Sequence, residues 1–295
     1  MDTPKVMQHS HQGTVSNLHQ RSCFVGIDIS GGAKPEKTTW LSKIRVAHGI
    51  VPTVEISASL AQLPSERSAL LHKTNPFLKL FEWIIQDAEA IIGIDASLSI
   101  PKALFAKEAD WESWVMALPS SYPTADDFKD KCQTQANGKE LKRQTDIEAK
   151  TPFSPYNLRH YKQTYTTLRE VVRPVLMAGK ASVLPFQPVA MGKPWIVESC
   201  PASILKRLGW DKVAYKGTQE SHQFAREALL QQALKQFFVS VPVEIQQSYI
   251  TNKTGDALDS FLIAWHLAQS WQADVGLFVN PAKSATEALE GRVFF

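Results

Sequence analysis

Cysteine is scarce in this 295-residue chain: three residues, Cys23, Cys132 and Cys200, an odd number at wide spacings. Neither a paired disulfide framework nor a zinc knuckle can be read from them, and a reducing compartment is expected. Long hydrophobic runs are missing too. No apolar stretch approaches the ~18–20 residues of a membrane span, and Met1 to Ser22 is polar, without the apolar core of a signal peptide. A cytoplasmic protein with no membrane partner is the expectation. Charge of one sign is not in excess: 32 Lys and Arg stand against 29 Asp and Glu, a formal +3. So small a total neither identifies nor excludes nucleic acid, because local patches decide that. Also absent are the Gly-x-Ser-x-Gly elbow, the His-Glu-x-x-His pair and the Walker loop, so the chemistries tied to them have no support.

What remains is an ordinary globular composition, 44% hydrophobic with 14 Gly and 17 Pro, which can bury a core. The length fits one domain carrying a sizeable insertion better than two independent domains. Residues 1–21 hold His9, His11 and His19 among Gln, Ser and Asn with no helical or strand period, which predicts a flexible leader. His9 and His11 could hold a stray metal ion, but a solvated tail is the better account of them. Residues 22–295 are expected to form the domain.

Cys23 to Asp28 (CFVGID) is an apolar run ending in a carboxylate and followed by a Ser-Gly-Gly turn. Lys37 to Val46 and Gly49 to Leu60 alternate loosely and predict a β-hairpin, which Pro52 marks as an edge or irregular pair. Asn75 to Ala88 has helical spacing, and Ala90 to Asp95 (AIIGID) is a second strand ending in Asp, so the order begins β-β-β-α-β. From Pro101 to about His160 the sequence is polar and proline-bearing, which reads as an irregular or helical insertion, or a lid. Helices are expected over Tyr161 to Met177, Pro201 to Trp210, Thr218 to Phe238 and Gly255 to Trp271, and a third strand over Trp195 to Glu198.

Three apolar strands thus run into an acid: Asp28, Asp95 and Glu198. An ionised group at the margin of a core is costly unless paired, hydrogen-bonded or bound to a cation. In an α/β sheet the carboxyl ends of parallel strands converge on the usual ligand crevice, where three acids would repel one another. A divalent oxygen-seeking cation removes that repulsion. Asp256 and Asp259 add an i,i+3 pair at the positive end of the last long helix. Capping explains that pair as well, with Asp256 as N-cap and Asp259 closing a capping-box-like arrangement.

The series GIDIS, GIDAS, VESCP, YKG and GDALDS, closing on Glu290-Gly291-Arg-Val-Phe, resembles the family catalogued as domain of unknown function 429, predicted RNase H-like nucleases. The likeness spans Cys23 to Phe295 and lies in the order and spacing of short motifs. Arg143-Gln-Thr-Asp146 is similar to an Arg-x-x-Asp element of the same family. The resemblance implies an α/β, RNase H-like mixed five-stranded sheet flanked by helices, its first three strands a meander. The Asp-x-x-Asp element also looks like that of Holliday-junction resolvases of this fold, whose acids hold two metal ions. By resemblance, Asp28 would bridge two Mg²⁺ or Mn²⁺ ions, with Asp95 and Asp259 completing their shells. Glu198 and Asp256 would be outer or alternative ligands, and Arg143 and Lys216 would contact substrate. The chain departs from those resolvases in having Asp on its fourth strand and an extra acid on a later one.

A metal-dependent nuclease acting on nucleic acid is therefore the leading expectation. An actin-like phosphotransferase, with GIDISGG and GIDASLS as phosphate turns, is a rival, but it normally needs two copies of the fold. A binding protein with a vestigial acid cluster is another. Arg159 to Lys180 holds five basic residues against one acid, and Lys193 to Lys216 five against two, whereas Thr218 onward holds five against eight. Such a basic middle could track a polynucleotide or merely face solvent. Trp111, Trp114 and Tyr122 could stack on bases or pack the insertion to the body. Cys200 reads as a small residue at a strand-to-helix turn, with no base beside it for a thiol mechanism. Oligomeric state is not legible.

Overall fold

The computed structural model describes residues 21–47, 49–64, 75–107 and 109–295. Seven strands make one mixed sheet: β1 (Cys23–Asp28), β2 (Trp40–Arg45), β3 (Thr53–Ser59), β4 (Ala90–Asp95), β5 (Ser182–Val183), β6 (Trp195–Ser199) and β7 (Val293–Phe294). Their order is β3-β2-β1-β4-β6-β5, with β7 also paired to β6. β2 runs antiparallel to β1 and β3, while β1, β4 and β6 run parallel, so the carboxyl ends of those three lie at one edge. The five expected strands are the five longest. β5 and β7 raise the count to seven, and at two residues each they leave no period to read.

Alternation divides the sheet into two faces. Val25, Ile27, Ile92, Ile94 and Ile196 pack on one side, and Phe24, Ile91, Trp195 and Val197 on the other. On the first side, α1 (Pro76–Ile84) buries Phe77, Leu80 and Ile84, its first turn capped by Asn75. It stops short of the expected Ala88 because Asp87 forms a turn, accepting from the Glu89 amide, and pairs with Lys43 and Arg45.

The segment from Pro101 to His160 alternates short helices with loops. It holds α2 (Trp111–Met116), capped by Asp110, then α3 (Ala125–Gln135), started by a Thr124–Asp127 capping box, then α4 (Gln144–Glu148). Trp111 stacks on Phe186 with centroids 3.9 Å apart and donates from Nε1 to the Leu98 carbonyl, and Tyr122 is buried. Trp114 packs on Phe105. These aromatics fasten the segment to the first face of the sheet, Trp111 and Tyr122 being buried and Trp114 partly so.

Next, α5 (Tyr161–Thr167) continues through a π-helical turn into α6 (Arg173–Ala178), which ends at left-handed Gly179. α7 (Pro201–Leu208) starts with Pro201, as its sequence predicts, and ends at left-handed Gly209, before the expected Trp210. α8 (Glu220–Gln236) and α9 (Val243–Thr251) cover the second face beside α10 (Asp256–Ala273), whose Leu258, Phe261, Leu262 and Trp265 are fully buried. α11 (Ala285–Glu290) precedes β7.

Arg21 belongs to this body and not to a leader. It is buried, donates to the carbonyls of Ala88, Ala190 and Lys193, and lies 3.9 Å over the Trp195 ring. His9, His11 and His19 lie outside the described residues. Among those described, no helix is long and apolar enough to cross a membrane.

Candidate metal centre at the carboxyl edge of the sheet

Asp28 and Asp95 end neighbouring strands, each two residues after a glycine and therefore on the glycine's face. That face carries α10. A Cβ on Gly26 would lie 2.0 Å from the Ser260 carbonyl oxygen, and one on Gly93 would lie 2.5 Å from Ile263 Cγ2. The two glycines let α10 lie against the backbone of β1 and β4. Its first turn then delivers Asp259 to the strand ends. Carboxylate oxygens of Asp28, Asp95 and Asp259 come within 4.8 Å of one another.

The capping explanation for Asp256 and Asp259 does not describe what forms. The helix begins at Gly255, at φ +85°, and its first turn is capped by neither Asp but by Asn252, whose Oδ1 accepts from the Ala257 amide at 3.3 Å. Asp256 accepts instead from the Thr254 hydroxyl at 2.7 Å, and Asp259 accepts from the Tyr215 hydroxyl at 2.6 Å. Gly255 is needed for its positive φ and for close approach, since a Cβ there would sit 2.9 Å from Lys216 Cγ.

Burial and mutual repulsion dominate the electrostatics. Desolvation, then the charges of Asp95 and Asp259, hold Asp28 well above the usual carboxylate range. Desolvation, then Asp259, pushes Asp95 up to about 7. Asp256 is raised too, chiefly by desolvation. Lys216 is the nearby counter-charge: its Nζ stands 2.5 Å from Asp259 Oδ2, on a side chain half exposed to solvent. The buried Oδ2 thus has the Lys216 ammonium as its partner. Tyr215 stays protonated, because desolvation and then Asp259 raise its phenol well above the ordinary value.

Glu198 does not join the cluster. The β4–β6 register sets Ser199 opposite Asp95, and Glu198, one residue earlier, projects from the other face, beside Ile196. There its Oε2 accepts from Arg143 at 2.7 Å and from the Leu98 amide at 2.8 Å, while its Oε1 meets Arg143 Nη2. Arg143 is fully buried and donates as well to both Asp146 oxygens and to the Glu290 carbonyl, so it is not available to touch substrate. Glu290 in turn accepts from the Lys102 and Gln144 amides. This network ties α4, β6 and α11 together.

Two cavities meet at the acids. One, of about 480 Å³, is lined by Asp28, Ser30, Gly31, Gly32, Arg159 and Lys162. The other, of about 210 Å³, is lined by Phe153, His160, Cys200 and Ala202 among others. Asp95, Arg159, Gln163 and Lys216 border both. Of the two basic stretches, Arg159, Lys162 and Lys216 reach these cavities. Arg169, Arg173, Lys206 and Arg207 instead donate to the carbonyls of Pro123, Met116, Lys150 and Phe295. Burial pushes the Cys200 thiol up to about 12, so it is no nucleophile at neutral pH.

Sequence reasoning passed over Tyr215 and Gln163. Tyr215 stands in the YKG motif, directly before Lys216, and holds Asp259 in place. Gln163 donates to the Asp95 main-chain carbonyl from the start of α5, and no local pattern in the sequence announces it. The chain matches no protein-family model, no curated protein and no solved structure.

Proposed function

We propose that this protein is a metal-dependent nuclease of RNase H-like fold, hydrolysing phosphodiester bonds at Asp28, Asp95 and Asp259. The observation that carries the reading is the convergence of those three carboxylates at the edge where parallel strands end. The antiparallel meander β1-β2-β3 beside parallel β4 and β6 supports the fold assignment. Among the described residues there is one sheet, which speaks against the two-copy architecture of an actin-like kinase.

The residues fit a hard divalent cation. The donors are all carboxylate oxygens, crowded at a buried edge where Lys216 is the nearby counter-charge. In an Mg²⁺ shell adjacent oxygens lie about 3.0 Å apart and opposite ones about 4.2 Å, so three carboxylates within 4.8 Å of one another would draw together by side-chain rotation to share an ion. Asp28, Asp95 and Asp259 would hold one or two Mg²⁺ or Mn²⁺ ions, with Asp256 beside them. Bound ions of this kind supply an activated water and stabilise the leaving oxygen. The chain's own residues do the rest. Tyr215 orients Asp259, Gln163 anchors the backbone at Asp95, and Arg159, Lys162 and Lys216 face the phosphate from the cleft. Glu198 and Arg143 hold the surrounding segments together.

Incubating the protein with labelled single-stranded, duplex, hybrid and branched nucleic acids and Mn²⁺ tests the reading. Cleavage by the wild type that is lost in Asp28→Asn and Asp95→Asn is expected. No cleavage of any substrate, or equal cleavage by all three proteins, overturns it.

A further inference from the structure

The acid cluster stands between two cavities of different character, with Arg159 and Lys216 bordering both. The larger is polar, with the Ser30-Gly31-Gly32 turn and Lys162 on its wall. The smaller shares Asp95 and Asp259 with the cluster, but much of its remaining wall is Pro152, Phe153, His160, Pro201 and Ala202. A phosphodiester held at the acids carries a substituent on each bridging oxygen, and a separate cavity adjoins the cluster for each.

A glycine-rich turn with flanking cations suits a charged backbone. An apolar wall with aromatic rings suits a flat, uncharged ring. The Phe153 and His160 rings lie 6.4 Å apart between centroids and only 30° from parallel. Burial, then Arg143, pushes His160 down to about 4, so its ring is uncharged at neutral pH. At about 210 Å³ the cavity is below the ~300 Å³ at which drug-sized pockets begin, and it has room for one ring system but not for a base pair.

We infer that the smaller cavity is a nucleobase subsite, and that the substrate is nucleic acid with an unpaired nucleotide beside the cut. The unpaired base comes from a single strand or from a nucleotide turned out of a helix. This inference rests on the nuclease reading. Its test compares cleavage by the Mn²⁺-loaded wild type of a short single strand, the same strand with one abasic position, and the matching duplexes.

An abasic position is expected to slow cleavage of the adjacent bond about tenfold, within the range that one base–aromatic stack is worth. A duplex that is refused assigns a single-stranded substrate, and a duplex that is cut with the same abasic penalty assigns a turned-out base. Ala202→Leu, which fills the cavity, should abolish the abasic penalty while calorimetric Mn²⁺ affinity is unchanged, and Phe153→Ala should act in the same direction. Equal cleavage of intact and abasic strands by the wild type, or a full penalty in both variants, overturns the subsite and leaves the nuclease reading standing. A wild type that binds Mn²⁺ but cleaves nothing overturns both.

Discussion

Gly26 of β1 lies against the backbone of Ser260 in α10 so closely that a Cβ would be 2.0 Å from the Ser260 carbonyl oxygen. The contact sets the distance between Asp28 and Asp259, one residue from Ser260. Gly26→Ala must push the helix away. It should cost about 2–3 kcal/mol in chemical denaturation, as overpacking a core does, and weaken Mn²⁺ binding. Gly32→Ala, whose Cβ would meet only the Ser30 hydroxyl, at 3.3 Å, should cost far less.

The raised carboxyls give the metal-free protein a characteristic pH dependence. Asp95 titrates near 3.8 when unfolded and at about 7 when folded, so between those values the folded state holds more protons. Stability contributed by this protonation is complete below about pH 4 and is lost as pH rises toward 7, with a slope of at most ~1.4 kcal/mol per pH unit for one group. Denaturation midpoints measured from pH 4 to 7 in a chelator should fall along that window. Saturating Mn²⁺ should flatten the profile, as should Asp95→Asn in part.

Among the described residues, Arg143 is the one cation paired with Asp146 and Glu198 in their buried network. Arg143→Ala strands both carboxylates and should destabilise the protein by about 3–5 kcal/mol. Glu198→Gln, which keeps the shape, should cost less and leave Mn²⁺ affinity within twofold of wild type. A large loss of Mn²⁺ affinity in Glu198→Gln would return Glu198 to the ligand set.

Lys216 competes with any cation for Asp259. Lys216→Met should tighten Mn²⁺ binding about tenfold by calorimetry, the worth of ~1.4 kcal/mol of removed repulsion. It should at the same time weaken nucleic-acid binding, since it removes a cation from both cavities. Weaker Mn²⁺ binding in this variant contradicts the assigned competition.

Much of this was legible in the sequence, and particular residues show where legibility stops. The GID repeats disclosed both strands and both acids, because an apolar run ending in a carboxylate is costly without a purpose. The same logic misplaced Glu198. In Trp-Ile-Val-Glu-Ser the glycine-to-acid spacing of two is missing, and strand parity puts Glu198 on the opposite face from Asp28 and Asp95. Arg143 was expected at substrate through the resemblance of its Arg-x-x-Asp element, whereas Asp146, Glu198 and Glu290, up to 147 residues away, bury it. Whether the insertion is irregular or helical stayed open because its helices are short and start at isolated caps, too brief to show a period. Gln163 serves Asp95 across a tertiary contact that no local pattern encodes.

The central claim is that Asp28, Asp95 and Asp259 together hold a divalent cation. Calorimetric titration of Mn²⁺ into the chelator-treated protein at neutral pH tests it most directly, with Asp28→Asn, Asp259→Asn and Glu198→Gln alongside. Saturable binding by the wild type and Glu198→Gln, lost or weakened at least tenfold in the two Asp variants, is the predicted result. No binding by the wild type, or equal binding by all four proteins, would contradict it.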